Sequence, residues 1–457
     1  MISSTIFRAY DIRGVVDHDL TEETTLLIGQ ALAGQLRSAG LREMAVGRDG
    51  RLSGPRLQRA LMDGLMAGGC DVVDIGQVPT PVLYFANHLL GTGSGVVITG
   101  SHNPPDYNGL KMVVAGTTLA ESAIQALLSS IQNKDLPVGD GSCRQAQVLP
   151  AYIERVVGDI KLGRQLKVVV DCGNGVTGDI APELLKQLGC EVIELFTEVD
   201  GTFPNHHPDP SKPENLVDLI AAVAEHQADL GLAFDGDGDR VGVITPTGEV
   251  IWPDRLMMMF ATDLLKRKPG ATILYDVKCT RHLPDVIAKA GGVPVMCRTG
   301  HSLVKAELKA RKADLAGEMS GHIFFGERWY GFDDGLYSAA RLLEIISNDD
   351  RPVQALFDEL PNAVNTPELH IEMAEGEPHR LVPELIEAAD FGDAAVSTLD
   401  GIRVDFADGF GLARASNTTP VIVLRFEGDD EAALTRIVSD FRELFKQVAP
   451  QVQFPDY

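Results

Sequence analysis

The chain has 457 residues, 44% of them apolar, and 40 Lys and Arg stand against 65 Asp and Glu for a net charge of −25. At roughly 100–200 residues per domain this length gives about three or four domains, each with its own core, which argues against disorder as the main state; the negative field argues against duplex DNA or an anionic membrane as the main partner and leaves open a basic groove inside an acidic shell. No stretch approaches the ~18 uninterrupted apolar residues of a membrane span, Met1–Gly14 is charged where a signal peptide is apolar, and Cys70, Cys143, Cys172, Cys190, Cys279 and Cys297 form no CxxC pair; the expectation is a cytoplasmic protein whose reduced thiols are small buried side chains, with no zinc or disulfide framework.

In chain order, Met44–Gly76 reads as a strand, a polar loop carrying Arg48 and Asp49, a helix ending at Gly68–Gly69 and a second strand. The pattern returns at Lys167–Leu195 and at Ala271–Met296, where Asp276 follows the first strand and Gly291–Gly292 the helix. Each predicts a right-handed βαβ unit of a mostly parallel sheet, whose ligands bind beyond the carboxyl ends of the strands. The expected fold is α/β, with three related mixed-sheet α/β domains over residues 1–146, 147–250 and 251–361. An α+β domain over 362–457 follows them, because Ile402, Val404, Phe406, Val421 and Val423 alternate as half-buried antiparallel strands and Glu431–Gln447 reads as a helix laid over them.

The loops carry the chemistry. The apolar run Gly95–Ile98 breaks into Thr99-Gly-Ser-His-Asn-Pro-Pro105, which sets Ser101 beside His102. A Ser next to a His fits a nucleophile needing a base, a metal or an electrostatic setting, and the loop reads equally as a turn. Ser211-Lys-Pro-Glu214 predicts a capped helix start ahead of Leu216, Leu219, Ile220 and Val223. After Leu232–Phe234, Asp235, Asp237 and Asp239 stand at every second position between glycines. Three such carboxylates need a cation, and Mg²⁺ would leave places for a phosphate oxygen. An EF-hand calcium loop is excluded by Arg240 and Pro246 at its sixth and twelfth positions, which leaves a solvated acidic turn as the alternative. Gly317-Glu318-Met-Ser320-Gly-His322 offers a carboxylate, a hydroxyl and an imidazole suited to vicinal sugar hydroxyls. Arg414-Ala-Ser416-Asn417-Thr418-Thr-Pro420 offers phosphate-binding groups, or a surface turn before a strand. Arg8, Arg13, Arg48, Lys111, Arg240, Lys278, Arg281, Arg298, His301 and Lys305 sit on these turns in an otherwise acidic chain, as a dianionic substrate would require.

Together, Tyr10-Asp-Ile-Arg13-Gly, Thr99-Gly-Ser-His-Asn-Pro, Asn108-Gly-Leu-Lys111, Asp235-Gly-Asp-Gly-Asp-Arg240, Gly317-Glu-Met-Ser-Gly-His322 and Arg414-Ala-Ser-Asn-Thr418 closely resemble the α-D-phosphohexomutase superfamily over essentially the whole chain. The Glu-Met-Ser loop is most similar to the bacterial phosphomannomutase/phosphoglucomutase branch, since phosphoglucosamine mutases look like Glu-Gln-Ser there and many phosphoglucomutases like Glu-Glu-Ser. The resemblance implies four domains around a central cleft and a phosphoserine at Ser101, with Asp235, Asp237 and Asp239 holding Mg²⁺ together with its phosphoryl group. It implies Glu318 and Ser320 on the sugar 3- and 4-hydroxyls, and Arg414, Ser416, Asn417 and Thr418 on the phosphate distal to Ser101. Arg13, His102, Lys111, Arg240, His301 and His322 would line the reacting end with Lys278 and Tyr10 nearby, and Lys111 or His322 would move the proton. The implied reaction interconverts hexose 1- and 6-phosphates of mannose and glucose through a hexose 1,6-bisphosphate that turns around, with glucose 1,6-bisphosphate as activator, a monomeric chain and a hinge near residues 361–370. A mutase restricted to glucosamine or glucose phosphates and a non-catalytic sugar-phosphate-binding protein are the alternatives.

Overall fold

Apolar strands alternating with helices build four sheets among the described residues. The computed structural model describes residues 2–456 and divides into two units, one built from the residues up to 253 with Ser320–Glu359, the other from Asp254–Met319 with the residues from 360 on.

In the first unit a seven-stranded sheet runs Ile12–Val15, Tyr107–Val114, Gly95–Ile98, Glu43–Arg48, Asp71–Gln77, Cys143–Gln145, with Thr117–Thr118 beside Tyr107–Val114. Glu43–Arg48 and Asp71–Gln77 pair in parallel around the helix Gly54–Ala67, as the first repeat predicts. A five-stranded sheet follows, in which Lys167–Asp171 pairs in parallel with Glu191–Leu195 and with Leu230–Phe234, and Leu230–Phe234 pairs antiparallel with Val241–Ile244. The sheets are mixed because these return strands are joined by loops too short for a helical crossover. Ser211 does not cap a helix. Its hydroxyl donates to Asp209 at 2.6 Å, and the chain enters the helix Val217–His226 through a 3-10 turn, Pro213–Leu216, since an acceptor two residues back competes with the orphan helix N–H groups.

Within the first unit, aromatic packing and the buried Asp334 carboxylate help tie the stretch 320–359 to the residues before 253. The Trp329 ring stacks on Tyr337 at 4.0 Å and meets Phe85 and Tyr152. Asp334 caps the helix Gly335–Ser347 by accepting from the Tyr337 N–H, and also accepts from the Tyr152 hydroxyl and the Trp329 indole N–H.

In the second unit, Thr272–Asp276 pairs in parallel with Val293–Cys297 and with Leu315–Gly317, around the third repeat's helix His282–Lys289. The C-terminal sheet is antiparallel through Ile402–Phe406, Gly409–Ala415 and Val421–Gly428, and the helix Glu431–Val448 is capped by Asp430. Its central strands are not half-buried. Gly409–Ala415 is buried throughout and Val421–Gly428 almost so, because helices cover one face while Phe410 and Leu412 pack on Val277 and Met296 across the other. Arg403 lies within that second face and donates to the carbonyls of Val277 and Cys279 at 2.7 Å each. Five of the cysteines are buried and Cys143 is exposed; none is in a disulfide. No helix among the described residues is long and apolar enough to cross a membrane.

Candidate active site

The strand Gly95–Ile98 delivers the chain to Ser101, a non-glycine residue at φ 49°. Left-handed backbone is unfavourable for a residue with a Cβ, so the surroundings hold it there. Its N–H donates to Thr99 Oγ1 at 2.8 Å, and its Oγ lies 3.1 Å from His102 Nδ1 and donates to Asp235 Oδ2 at 3.2 Å. The adjacency of Ser101 and His102 in sequence is therefore also a side-chain contact. Burial, and then the Arg240 charge, hold the His102 imidazole well below its usual value, so it is neutral. Its carbonyl oxygen touches His207 Nε2. Gly236 carries no Cβ because one would fall 2.4 Å from the Ser101 carbonyl oxygen, and this close approach brings the acidic loop onto the serine loop.

That acidic loop follows the buried strand Leu230–Phe234. All three aspartates are fully buried, and one ligand oxygen from each lies within 4.8 Å of the others. Lys111, on Tyr107–Val114, sends its ammonium to Asp237 at 2.8 Å and Asp239 at 2.5 Å, while Thr80 donates to Asp237 at 2.5 Å. Arg240 Nε donates to Asp235 at 2.9 Å, and its Nη1 lies 3.4 Å from Asp209 and from the Ser320 carbonyl. Burial opposes charge on every member. Lys111 outweighs it for Asp237 and Asp239, which are lowered, whereas Asp235 is pushed up to about 8 by burial despite Arg240, with its two neighbours adding to the rise. Lys111 is raised well above its usual value because Asp237 and Asp239 overcome its burial.

The donor set suits a hard divalent cation. Asp237 Oδ1 and Asp239 Oδ1 are buried and accept no hydrogen bond from the described residues. Those two oxygens and the Asp235 carboxylate beside them are all oxygen donors of the kind that Mg²⁺ takes, and a bound cation would draw Asp235 back to its ionised form.

His322 joins this cluster through a backbone bridge to Arg240, with Nδ1 at 3.1 Å from Asp333 and 3.6 Å from Asp239. Arg13 lies on the strand beside Lys111's, opposite Gly109, and pairs with Asp11 at 2.6 Å; its charge reaches His102. Tyr10 is buried just before that strand. Thr80, Asp209 and Asp333 complete this cluster from outside the six motifs of the sequence. Asp333 carried a signal, an acidic pair between glycines in Gly331–Gly335, whereas Pro79-Thr80-Pro81 carried none.

The remaining candidates belong to the second unit. Glu318 is buried where Leu315–Gly317 ends and accepts from the Gly300 N–H, one residue before His301 opens the helix His301–Arg311. Asp276 fastens this region, accepting from the Met319 N–H at 3.1 Å and the Thr299 hydroxyl at 2.7 Å. Asp400 accepts from both the Thr299 N–H and Arg414 Nε at 3.0 Å, so the Arg414 loop is held to the Glu318 and His301 loops. Ser416 Oγ accepts from the N–H groups of Thr418 and Thr419 at 3.3 Å, which curls Ser416, Asn417 and Thr418 into one turn. Lys278 pairs with Glu368 at 2.8 Å. Arg281 has a structural partner set instead, the Asp429 carboxylate and the Ala407 carbonyl.

Family models match along the chain in order: phosphoglucomutase/phosphomannomutase alpha/beta/alpha domain I over residues 4–137, domain II over 150–248, domain III over 252–364 and the C-terminal domain over 368–444. A phosphomannomutase/phosphoglucomutase of Pseudomonas putida is 56% identical over 454 residues, 99% of this chain and 98% of that protein. A phosphoglucomutase of Neisseria gonorrhoeae is 52% identical over 449 residues, 97% of each. The crystal structure of a phosphoglucomutase/phosphomannomutase family protein from Burkholderia thailandensis, 54% identical, superposes with a TM-score of 0.95 over 100% of both chains. With its four domain models matched in sequence and its fold reproduced from end to end, the chain belongs to the phosphoglucomutase/phosphomannomutase family and is a phosphohexomutase.

Proposed function

We propose that this phosphohexomutase interconverts the 1- and 6-phosphates of mannose and glucose through a phosphoserine at Ser101 and a hexose 1,6-bisphosphate. The observation that carries the reading is the Ser101 hydroxyl, 3.2 Å from Asp235 in a buried triad of carboxylates backed by Lys111 and Arg240. Asp235, Asp237 and Asp239 would hold Mg²⁺ with the Ser101 phosphoryl group; the bound ion supplies positive charge against the transferring oxygens.

In the forward half-reaction the bond from phosphorus to Ser101 Oγ breaks, Oγ keeps the electron pair, and phosphorus bonds to the free hydroxyl of a hexose 1-phosphate. That hydroxyl loses its proton to the protein. Lys111 is raised and tied to two carboxylates, so it stays an ammonium that stabilises charge. His322, flanked by Asp333 and Asp239, is the proton carrier. Arg240 steadies the phosphoryl oxygens, with Arg13, His102, His301, Lys278 and Tyr10 around the reacting end. Glu318 and Ser320 take the sugar hydroxyls, and Arg414, Ser416, Asn417 and Thr418 take the phosphate that is not reacting. After the bisphosphate turns, Ser101 Oγ recovers a phosphoryl group from the original phosphate and hexose 6-phosphate remains. Glucose 1,6-bisphosphate serves as activator. The proposal includes a monomeric cytoplasmic protein and domains over 1–146, 147–250, 251–361 and 362–457.

Phosphorus NMR of the protein with Mg²⁺, a trace of glucose 1,6-bisphosphate and equal glucose, mannose and glucosamine 1-phosphates tests this. The glucose and mannose signals are expected to move to their 6-phosphates while glucosamine lags, and Ser101→Ala is expected to abolish both. Conversion of glucosamine alone would overturn the specificity, and full turnover by the Ser101→Ala variant would overturn the phosphoserine.

A further inference from the structure

Arg51 touches no residue assigned a ligand in the proposed function except through backbone, yet it is among the most completely buried large side chains of the first unit. Its guanidinium points at the back of the serine loop. Nη2 donates to the carbonyls of Ser101 at 2.9 Å and Asn103 at 2.6 Å, and Nη1 donates to those of Pro104 at 2.5 Å and Tyr107 at 2.9 Å. Asp49 completes the arrangement: one carboxylate oxygen accepts from the Arg51 N–H at 2.9 Å, and the other accepts from the Gly100 N–H at 3.1 Å and lies 3.4 Å from Arg51 Nε. The ring of Phe203 covers the guanidinium, 5.2 Å from its carbon. Gly100 has no room for a side chain, because a Cβ would fall 2.4 Å from the same carbon.

Four carbonyls of a seven-residue loop thus converge on one rigid, permanently charged fork, a geometry that an ammonium has too few and wrongly directed donors to reproduce. The loop carries a serine in left-handed backbone, a conformation that needs to be over-determined by its surroundings. We infer that Arg51 is a positioning residue for phosphoryl transfer: by gathering four carbonyls within residues 101–107 it holds the loop in the one conformation that aims Ser101 Oγ at Asp235. Arg51 itself touches neither sugar nor phosphate. With these four carbonyls so occupied, none of them turns toward the dianionic phosphoryl group, and that group is presented to the acceptor hydroxyl in line. Loosened, the loop would leave the phosphoryl group open to water, whose oxygen would bond to phosphorus as the bond to Oγ breaks, Oγ taking the proton and inorganic phosphate leaving.

The inference rests on the reading of Ser101 as the phosphoryl carrier, and the test separates the two. Wild type, Arg51→Lys and Ser101→Ala are compared with Mg²⁺, glucose 1,6-bisphosphate and glucose 1-phosphate, with thermal melting as the check of folding. Intact-protein mass spectrometry follows loss of phosphate from Ser101 in buffer alone. For Arg51→Lys, kcat is expected to fall at least about tenfold with KM within about threefold, and the phosphoserine to hydrolyse at least about fivefold faster, since misplacement of a reacting group acts on the transition state rather than on ground-state binding. If Lys at this position does not fold, Gly100→Ala, which pushes on the guanidinium without removing its charge, carries the same expectation. An unchanged kcat and an unchanged hydrolysis rate in the folded variant would overturn the inference and leave Ser101 in its role. Turnover by Ser101→Ala would instead overturn the reading beneath it.

Discussion

Lys111 keeps two carboxylates ionised in surroundings that burial alone would neutralise. Removing its ammonium strands both charges, a loss of about 3–5 kcal/mol for a broken buried pair. Lys111→Met should therefore be destabilised by that order in urea denaturation without Mg²⁺, and saturating Mg²⁺ should return more stability to the variant than to wild type. A second charged contact at this scale carries a pH signature. Burial opposes charge on His206, but its hydrogen bond to Asp171 at 3.0 Å and the Asp171 charge outweigh it and raise the imidazole. A raised imidazole stabilises fully below the unfolded value of about 6.5 and loses that contribution as pH rises through the folded value. His206→Asn is thus expected to lower Tm more near pH 6 than near pH 9. The three aspartates were legible in the sequence because like charges at every second position between glycines call for a cation. Thr80 was not, since the carboxylate it serves lies 157 residues away and nothing local marks the meeting.

Among the elements, the three strand–helix–strand repeats were readable because each states its whole structure locally, with an apolar run, a glycine stop and a second run. The burial of both faces of the C-terminal sheet was not, because Val277 and Met296, which cover the second face, are more than a hundred residues upstream. The helix Gly335–Ser347 shows how much one cap can gather. Asp334 satisfies a helix N–H, a phenol and an indole at once, so Asp334→Ala removes a cap and strands two buried donors. Its expected loss is at least about 2 kcal/mol in denaturant unfolding, with Asp334→Asn losing less because the amide oxygen still accepts.

At the scale of the molecule, the C-terminal sheet is pinned within the second unit by buried guanidinium groups. Arg403 stacks on Phe410 at 4.0 Å and reaches the Val277 and Cys279 carbonyls, and Arg425 reaches Asp254 at 3.1 Å. Any hinge near residues 361–370 works against these bonds. Arg403→Met is expected to quicken amide hydrogen exchange in both Ile402–Phe406 and residues 277–279, while exchange in the first unit stays as in wild type. The chain also leaves the first unit at residue 253, returns at 320 and leaves again at 359. Tyr152 and Phe85 therefore wait for Trp329 and Asp334, the latter 182 residues behind Tyr152. At roughly 5–20 residues per second of synthesis that delay is on the order of ten to forty seconds, during which the nascent polypeptide presents a naked aromatic face to whatever chaperone or protease stands at the ribosome.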